Sequence, residues 1–241
     1  GNVQALENVL HAAERFRSLN LSVDHTILVN LLSRPRGVAH HLNSLWIQNL
    51  SEPQKRVSDD GQSHIVIQRL PENLFAEGTP MLTFLEVNQC SLPWTSPILF
   101  QSPLLTHLAL DRPLRWPANT QGSVVTQLLK ILRFTPLLHY LNIAGQHLVS
   151  YPNDQALVKD IAPVPLLKLQ SFNIRGSSTA LTILFSKLRL PPLETFTKAY
   201  LTFTVPEALD PNAMFSSIRA ALAPSEDCFA QATTCPPEIA I

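Results

Sequence analysis

Residues 78–94 read GTPMLTFLEVNQCSLPW. At their centre, Leu82-Thr-Phe-Leu85-Glu-Val87 forms an L-x-x-L-x-L unit, followed directly by Asn88 and Cys90. Side chains alternate across a strand, so Leu85 and Val87 go to one face while Phe84 and Glu86 go to the other. A single unit of this kind matches any amphipathic strand. Its meaning depends on whether it recurs.

It recurs six times. Phe16-Arg-Ser-Leu19-Asn-Leu21, Leu42-Asn-Ser-Leu45-Trp-Ile47, Leu105-Thr-His-Leu108-Ala-Leu110, Leu138-His-Tyr-Leu141-Asn-Ile143 and Leu169-Gln-Ser-Phe172-Asn-Ile174 repeat the pattern. Leu193-Glu-Thr-Phe196-Thr-Lys198 matches it with a polar last position. Units starting at 16, 42, 82, 105, 138, 169 and 193 are separated by 26, 40, 23, 33, 31 and 24 residues. Leucine-rich repeats have a period of roughly 20–29 residues and one short strand per repeat on the inner wall of a curved solenoid; the intervals of 40, 33 and 31 residues are longer, so the array reads as an irregular one. The 40-residue interval holds the polar run SEPQKRVSDDGQS (51–63), read as a solvated excursion, and Ile65-Val-Ile67, a β-like run that could hide a degenerate unit. Pro80, Pro103, Pro136 and Pro192 stand just before strands, where a fixed φ ends the preceding segment and turns the chain.

Between the units the pattern alternates with helix. Leu6, Val9, Leu10 and Ala13 are helically spaced in residues 2–15, and Asp24 is placed to cap a helix carrying Ile27, Leu28, Leu31 and Leu32. Val124, Val125, Leu128, Leu129, Ile131 and Leu132 make residues 120–134 the clearest amphipathic helix. Residues 177–187 and 212–222 predict two more, LPENLF (70–75) a turn or short helix, and SLPWTSPILF (91–100) a turn or 3₁₀ piece, because of its prolines. The expected fold is therefore α/β: an irregular leucine-rich-repeat solenoid over residues 1–223, with short parallel strands on the concave side, helices and loops on the convex side, and an irregular tail over 224–241. A doubly wound α/β sheet is the competing arrangement. It needs strands apolar on both faces, whereas the outward positions here include Ser18, Asn20, Ser44, Trp46, Glu86, His107, Asn142, Ser171, Asn173, Thr195 and Thr197.

Composition narrows the function classes. The 241 residues are 45% hydrophobic and 15% charged, which fits a globular chain. Eighteen basic residues balance eighteen acidic ones without a basic patch, arguing against nucleic acid or a membrane surface as partner. Twenty prolines against seven glycines leave little for glycine-built phosphate loops. Three cysteines (Cys90, Cys228 and Cys235) are odd in number and lack metal-ligand spacing, so no metal or cofactor is expected, and an intracellular compartment, cytoplasmic or nuclear, is. The opening at Gly1, with neither Met nor a signal-like run, reads as that of a fragment or processed chain.

No nucleophile elbow, Walker loop, dinucleotide fingerprint or H-E-x-x-H occurs. His40-His41 reads as a plain loop pair. His107 and Tyr140 occupy equivalent positions in successive units and could lie side by side, but no nucleophile or orienting acid matches them, so no catalytic residue is assigned. Cys90 reads as a core thiol and Trp94 as a plug between repeats. Trp46 is turned outward by the alternation that buries Leu45 and Ile47, unless the 51–63 excursion folds back over it. The expected partner surface is the concave patch of Trp46, Phe84, Glu86, His107, Tyr140 and Asn142.

The phrase LPENLFAEGTPMLTFLEVNQCSLPWTSPIL (70–99) resembles the middle of fungal, basidiomycete-type F-box-like proteins with degenerate leucine-rich repeats. HAAERFRSLNL (11–21), SPLLTHLAL (102–110), LLKILRFTPLLHYLNI (128–143) and SSTALTILFSKLRLPPLETF (177–196) extend the likeness over about residues 6–205. That resemblance implies a non-enzymatic recognition role. In such proteins an F-box docks on the adaptor of a cullin–RING ubiquitin ligase while the repeats present a protein target. This sequence holds no F-box and starts where the repeats start. A stand-alone repeat scaffold, and less so an α/β enzyme, remain the alternatives.

Overall fold

The computed structural model describes residues 15–24, 26, 39–51, 54–57, 63–66, 69–72, 74, 75, 78–110, 124–148, 150, 153–204 and 211–222. The helix expected over 2–15 (Arg15 excepted), the one carrying Ile27 to Leu32, and the tail over 224–241 lie outside these residues. The chain falls into two compact units, Gly1–Arg115 and Trp116–Ile241.

In the first unit, β1 (Ser18–Val23), β2 (Ser44–Asn49), β5 (Phe84–Asn88) and β6 (His107–Leu110) form a parallel sheet in the order β1-β2-β5-β6. Between β2 and β5, β3 (Gln54–Val57) and β4 (Ser63–Val66) form a separate antiparallel pair. The second unit contains α1 (Val124–Phe134), β7 (Tyr140–Leu148), α2 (Asp154–Lys159), β8 (Val164–Pro165), β9 (Ser171–Ser177), α3 (Ser178–Phe185), β10 (Leu188–Arg189), β11 (Lys198–Thr204) and α4 (Pro211–Leu222). Its parallel sheet runs β7-β9-β11, and β8 pairs with β10 in a second, two-stranded one. The fold class is α/β with parallel strands, as the sequence predicts.

The register carries the motif from strand to strand. Leu19, Leu45, Leu85 and Leu108 lie opposite one another in turn, and so do Leu21, Ile47, Val87 and Leu110. All eight are buried. A slip of one residue would turn every one of them to the opposite face, so the apolar column fixes the pairing. In the second unit Leu141 pairs with Phe172, and Phe172 with Ala199. Phe172 also meets Phe196 edge-on at 5.3 Å and Phe185 of α3 at 6.1 Å between ring centroids. Helix α1 buries Val124, Val125, Leu128, Leu129, Ile131 and Leu132, the stripe its spacing predicts. Helix α3 starts on Ser177, whose hydroxyl accepts from the Ala180 amide at 3.2 Å, the usual serine cap.

The same entry turn precedes most strands. The amides of Leu42, Leu82, Leu105, Leu138 and Leu169 each donate to the carbonyl three residues back. Pro80, Pro103 and Pro136 hold the second position of their turns, where a φ near −65° is already the one required. Proline here shapes the turn itself as well as stopping the segment before it. The turn hydroxyls interlock: Ser102 Oγ donates to the Ile98 carbonyl at 2.8 Å, leaving Thr79 Oγ1 to donate to Ser102 Oγ at 2.7 Å, with both residues buried.

A second device joins neighbouring strands. One carbonyl on each strand's threshold accepts two successive amides from the next: Arg17 from Asn43 and Ser44, Asn43 from Thr83 and Phe84, Thr83 from Thr106 and His107. His139 and Gln170 do the same in the second unit. Where the next residue is threonine, its hydroxyl donates to that carbonyl too: Thr83 to Asn43 at 3.0 Å, Thr106 to Thr83 at 3.0 Å and Thr197 to Gln170 at 3.1 Å.

Two expectations fail. The polar stretch after β2 contains strand β3, and Ser63–Val66 pairs with it antiparallel, so Ile65 and its neighbours are the return of a hairpin and not a hidden parallel unit. The last unit is also mis-set. Leu193–Thr195 is a 3₁₀ turn, and the strand starts at Lys198, opposite Ser171. Phe196-Thr-Lys-Ala199-Tyr-Leu201 is the true repeat, three residues on from Leu193. The outward residues of that strand are Lys198 and Tyr200, not Thr195 and Thr197. Leucine at 193 mimics the pattern, but the neighbouring strand's register and the Phe172–Phe196 contact decide the frame.

Strands β7 and β9 shift register between Asn142 and His147 and then resume with Leu148 opposite Gly176. A Cβ on Gly176 would come within 2.8 Å of Leu148 Cβ and 3.0 Å of the Leu148 carbonyl oxygen. The close approach therefore requires glycine. Gly176→Ala is expected to lower stability by about 1–3 kcal/mol, read as a reduced urea midpoint.

Candidate functional site

Each parallel sheet has one face on its core and one face turned away. On β1 the outward residues Ser18, Asn20 and Ser22 are exposed, whereas on β2 and β5 the outward Trp46, Phe84 and Glu86 are half-buried. Four of the expected site residues therefore meet in the first unit. Trp46 lies opposite Glu86 across β2 and β5, and Phe84 opposite His107 across β5 and β6.

Phe84 and His107 stack with ring centroids 4.2 Å apart and planes 15° from parallel. This follows from the motif: both are third residues of their units, and an in-phase register puts third residues side by side. Glu86 is anchored from its own strand, where Asn88 Nδ2 donates to Oε1 at 2.7 Å. Its other oxygen, Oε2, is 3.9 Å from His107 Nε2, beyond hydrogen-bond distance. Glu86 and His107 side chains are 27% and 25% exposed, so both are largely withdrawn from water yet open to a partner. Burial lowers the His107 pKa below its ordinary 6.5, and the Glu86 carboxylate only partly offsets this. The ring is accordingly neutral at pH 7.

Ala109, the outward residue beside Glu86 on β6, is only 4% exposed. Sequence reasoning assigned it no role, although its smallness is visible in the motif: it is the one outward position on β2, β5 and β6 without a side chain beyond Cβ. Asn88 was also missed, and its signal was the two-residue spacing from Glu86 on one strand face.

Tyr140 and Asn142 belong to the second unit. They lie opposite Ser171 and Asn173 on β9, both half-buried on the outward side of β7. Across from that pair stand Lys198 and Tyr200 of β11, the latter 48% exposed. Arg175 adds a second exposed cation on β9.

The remaining singled-out residues are structural. His40 and His41 are exposed in the turn before β2. Trp94 is buried, 1% exposed, as the plug reading expects. Cys90 is buried as well, and its thiol donates to the Asn88 carbonyl at 3.4 Å. Desolvation pushes the Cys90 thiol up to about 12, opposed in part by a backbone hydrogen bond at Asn49. Thiolate is the reactive form, so iodoacetamide at pH 8 is expected to leave Cys90 unmodified in the native chain and to alkylate it in urea, as followed by peptide mass mapping.

Among the described residues, no group of three or more His, Cys, Asp or Glu is placed to hold a metal ion, and no helix is long and apolar enough to cross a membrane. No protein-family model and no curated protein matches the chain. Fold and site together define an α/β protein whose parallel sheets pack one side on an apolar core and present polar, aromatic and charged groups on the other. What the first unit's face offers chemically is a carboxylate acceptor, a fixed ring stack and a side-chain amide.

Proposed function

We propose that the chain is an irregular leucine-rich-repeat solenoid acting as a non-catalytic protein-binding module, the substrate-recognition region of an F-box-type ubiquitin ligase subunit. The observation that carries the binding reading is the in-phase ladder. Within each unit the parallel strands follow chain order, most entered by a like turn and each after the first hung on the preceding strand's threshold carbonyl. A doubly wound sheet instead reverses its order at a switch point, and ligands collect there. Repeating one strand unit in one register stacks like positions into columns, giving a broad face of the kind solenoids use for partners. The link to ubiquitin rests on the sequence phrases over 70–99 and their order along the chain.

The test uses the full reading frame that encodes this chain, expressed with an affinity tag. The cullin adaptor is expected to co-purify, together with a target protein. Trp46→Ala combined with Tyr140→Ala is expected to release the target while leaving the adaptor bound and the melting temperature within a few degrees of the parent. A target retained without the adaptor supports the stand-alone scaffold instead. Loss of several kcal/mol of stability in each single variant, Trp46→Ala and Tyr140→Ala, as for truncated core aromatics, would mean that both rings are core and the binding face lies elsewhere.

A further inference from the structure

The geometry points to a receptor for a cationic side chain, an arginine or lysine of a protein partner, centred on Glu86 with Trp46 and Phe84 as its walls. It rests on the reading of this face as a protein-binding surface and adds the chemistry of what is bound.

Charge is the first argument. The outward positions of β1, β2, β5 and β6 hold one carboxylate, Glu86, and neither lysine nor arginine. These four strands therefore offer a single negative charge with no lysine or arginine beside it at their own outward positions. His107, the basic group on the neighbouring strand, is held neutral by its burial.

Unfilled acceptor capacity is the second. Asn88 occupies Oε1, whereas Oε2 faces His107 at 3.9 Å and accepts no hydrogen bond there. A half-buried carboxylate with one oxygen clamped and the other open is set to take a charge-assisted hydrogen bond, which is about twice as strong as a neutral one. The clamp also holds the side chain in one orientation, lowering the entropy lost when a partner arrives.

The aromatic walls are the third. Trp46 is directly opposite Glu86 in the register, and Phe84 precedes it by two residues on the same face. Phe84 is locked by its stack on His107. Cations are attracted to the faces of such rings, most strongly to tryptophan, and a guanidinium can stack on them while pairing with a carboxylate.

The experiment selects binders from a randomised peptide library displayed against the whole chain, then measures individual peptides in solution. Peptides whose binding depends on Trp46 are expected to share an arginine or lysine. Replacing that residue by glutamine should weaken binding by roughly tenfold or more, and so should Glu86→Gln in the protein, a variant of equal size that keeps the Asn88 contact. Combining the two changes should cost little beyond either alone, which assigns the peptide cation to Glu86. Peptides that need Trp46 but bind Glu86→Gln as tightly as the parent would overturn the cation receptor and leave the binding face standing. Peptides indifferent to Trp46, Phe84 and Glu86 would remove the face itself. A selection yielding no Glu86-dependent binder also overturns the inference.

Discussion

Leu85→Ala is expected to destabilise the first unit by about 2–5 kcal/mol, within the range for large-to-small changes at fully buried leucines. Leu85 is 0% exposed and lies between Leu45 and Leu108, themselves 0% exposed. Its side chain therefore has apolar neighbours on both flanking strands, and neither strand can move in to fill a cavity without breaking the threshold hydrogen bonds at Asn43 and Thr83. Urea unfolding followed by circular dichroism measures the loss. The next residue serves as control: Glu86→Gln, on the other face and keeping an oxygen for the Asn88 amide, should change stability by less than about 1 kcal/mol. Equal losses at the two positions would contradict the assignment of core and outward faces.

Trp94→Ala is expected to be the most costly single change, about 3–5 kcal/mol. The residue is among the largest fully buried side chains, at 1% exposure, and lies in the Pro-rich link between β5 and the 3₁₀ turn Pro97–Leu99. Its neighbours Leu92, Ile98 and Leu99 are buried too, so this link forms a second layer of core. The indole Nε1 finds no hydrogen-bond acceptor among the described residues. Trp94→Phe removes that N–H while keeping a ring in place, and should recover more than half of the loss. The same unfolding experiment, on both variants, checks it.

Much of this was legible because two periodicities coincide. Period-two alternation picks the buried residue at each strand position, and recurrence of L-x-x-L-x-L fixes where strands begin. In six units the strand starts two residues after the first motif position, from Ser18 through Ser171. The seventh escaped because Leu193 is a plausible first position, and only the pairing of Lys198 with Ser171 separates it from Phe196. The hairpin of β3 and β4 escaped because strands of four residues with polar composition carry little pattern, and antiparallel pairing adds none that a single sequence reveals. At the site, the outward positions of Trp46, Phe84, Glu86, His107, Tyr140 and Asn142 followed from alternation. The Phe84–His107 stack needed the register, and the clamp by Asn88 and the close flank at Ala109 needed side-chain positions.

The threshold carbonyls also bear on how freely the segments between strands can vary in length. Thr83 reaches back 40 residues to Asn43, yet Thr106 reaches back only 23 to Thr83, and the two bonds have the same length. Entropy of closing a flexible loop rises only by about 0.6 kcal/mol for each doubling of its length. A whole hairpin can therefore be inserted between two rungs for less than the net worth of one hydrogen bond, about 1 kcal/mol. Drift in repeat length is thus thermodynamically inexpensive in this architecture, while drift in phase within a strand is not. Insertions should accumulate between the rungs, and the columns that face a partner should stay aligned through them.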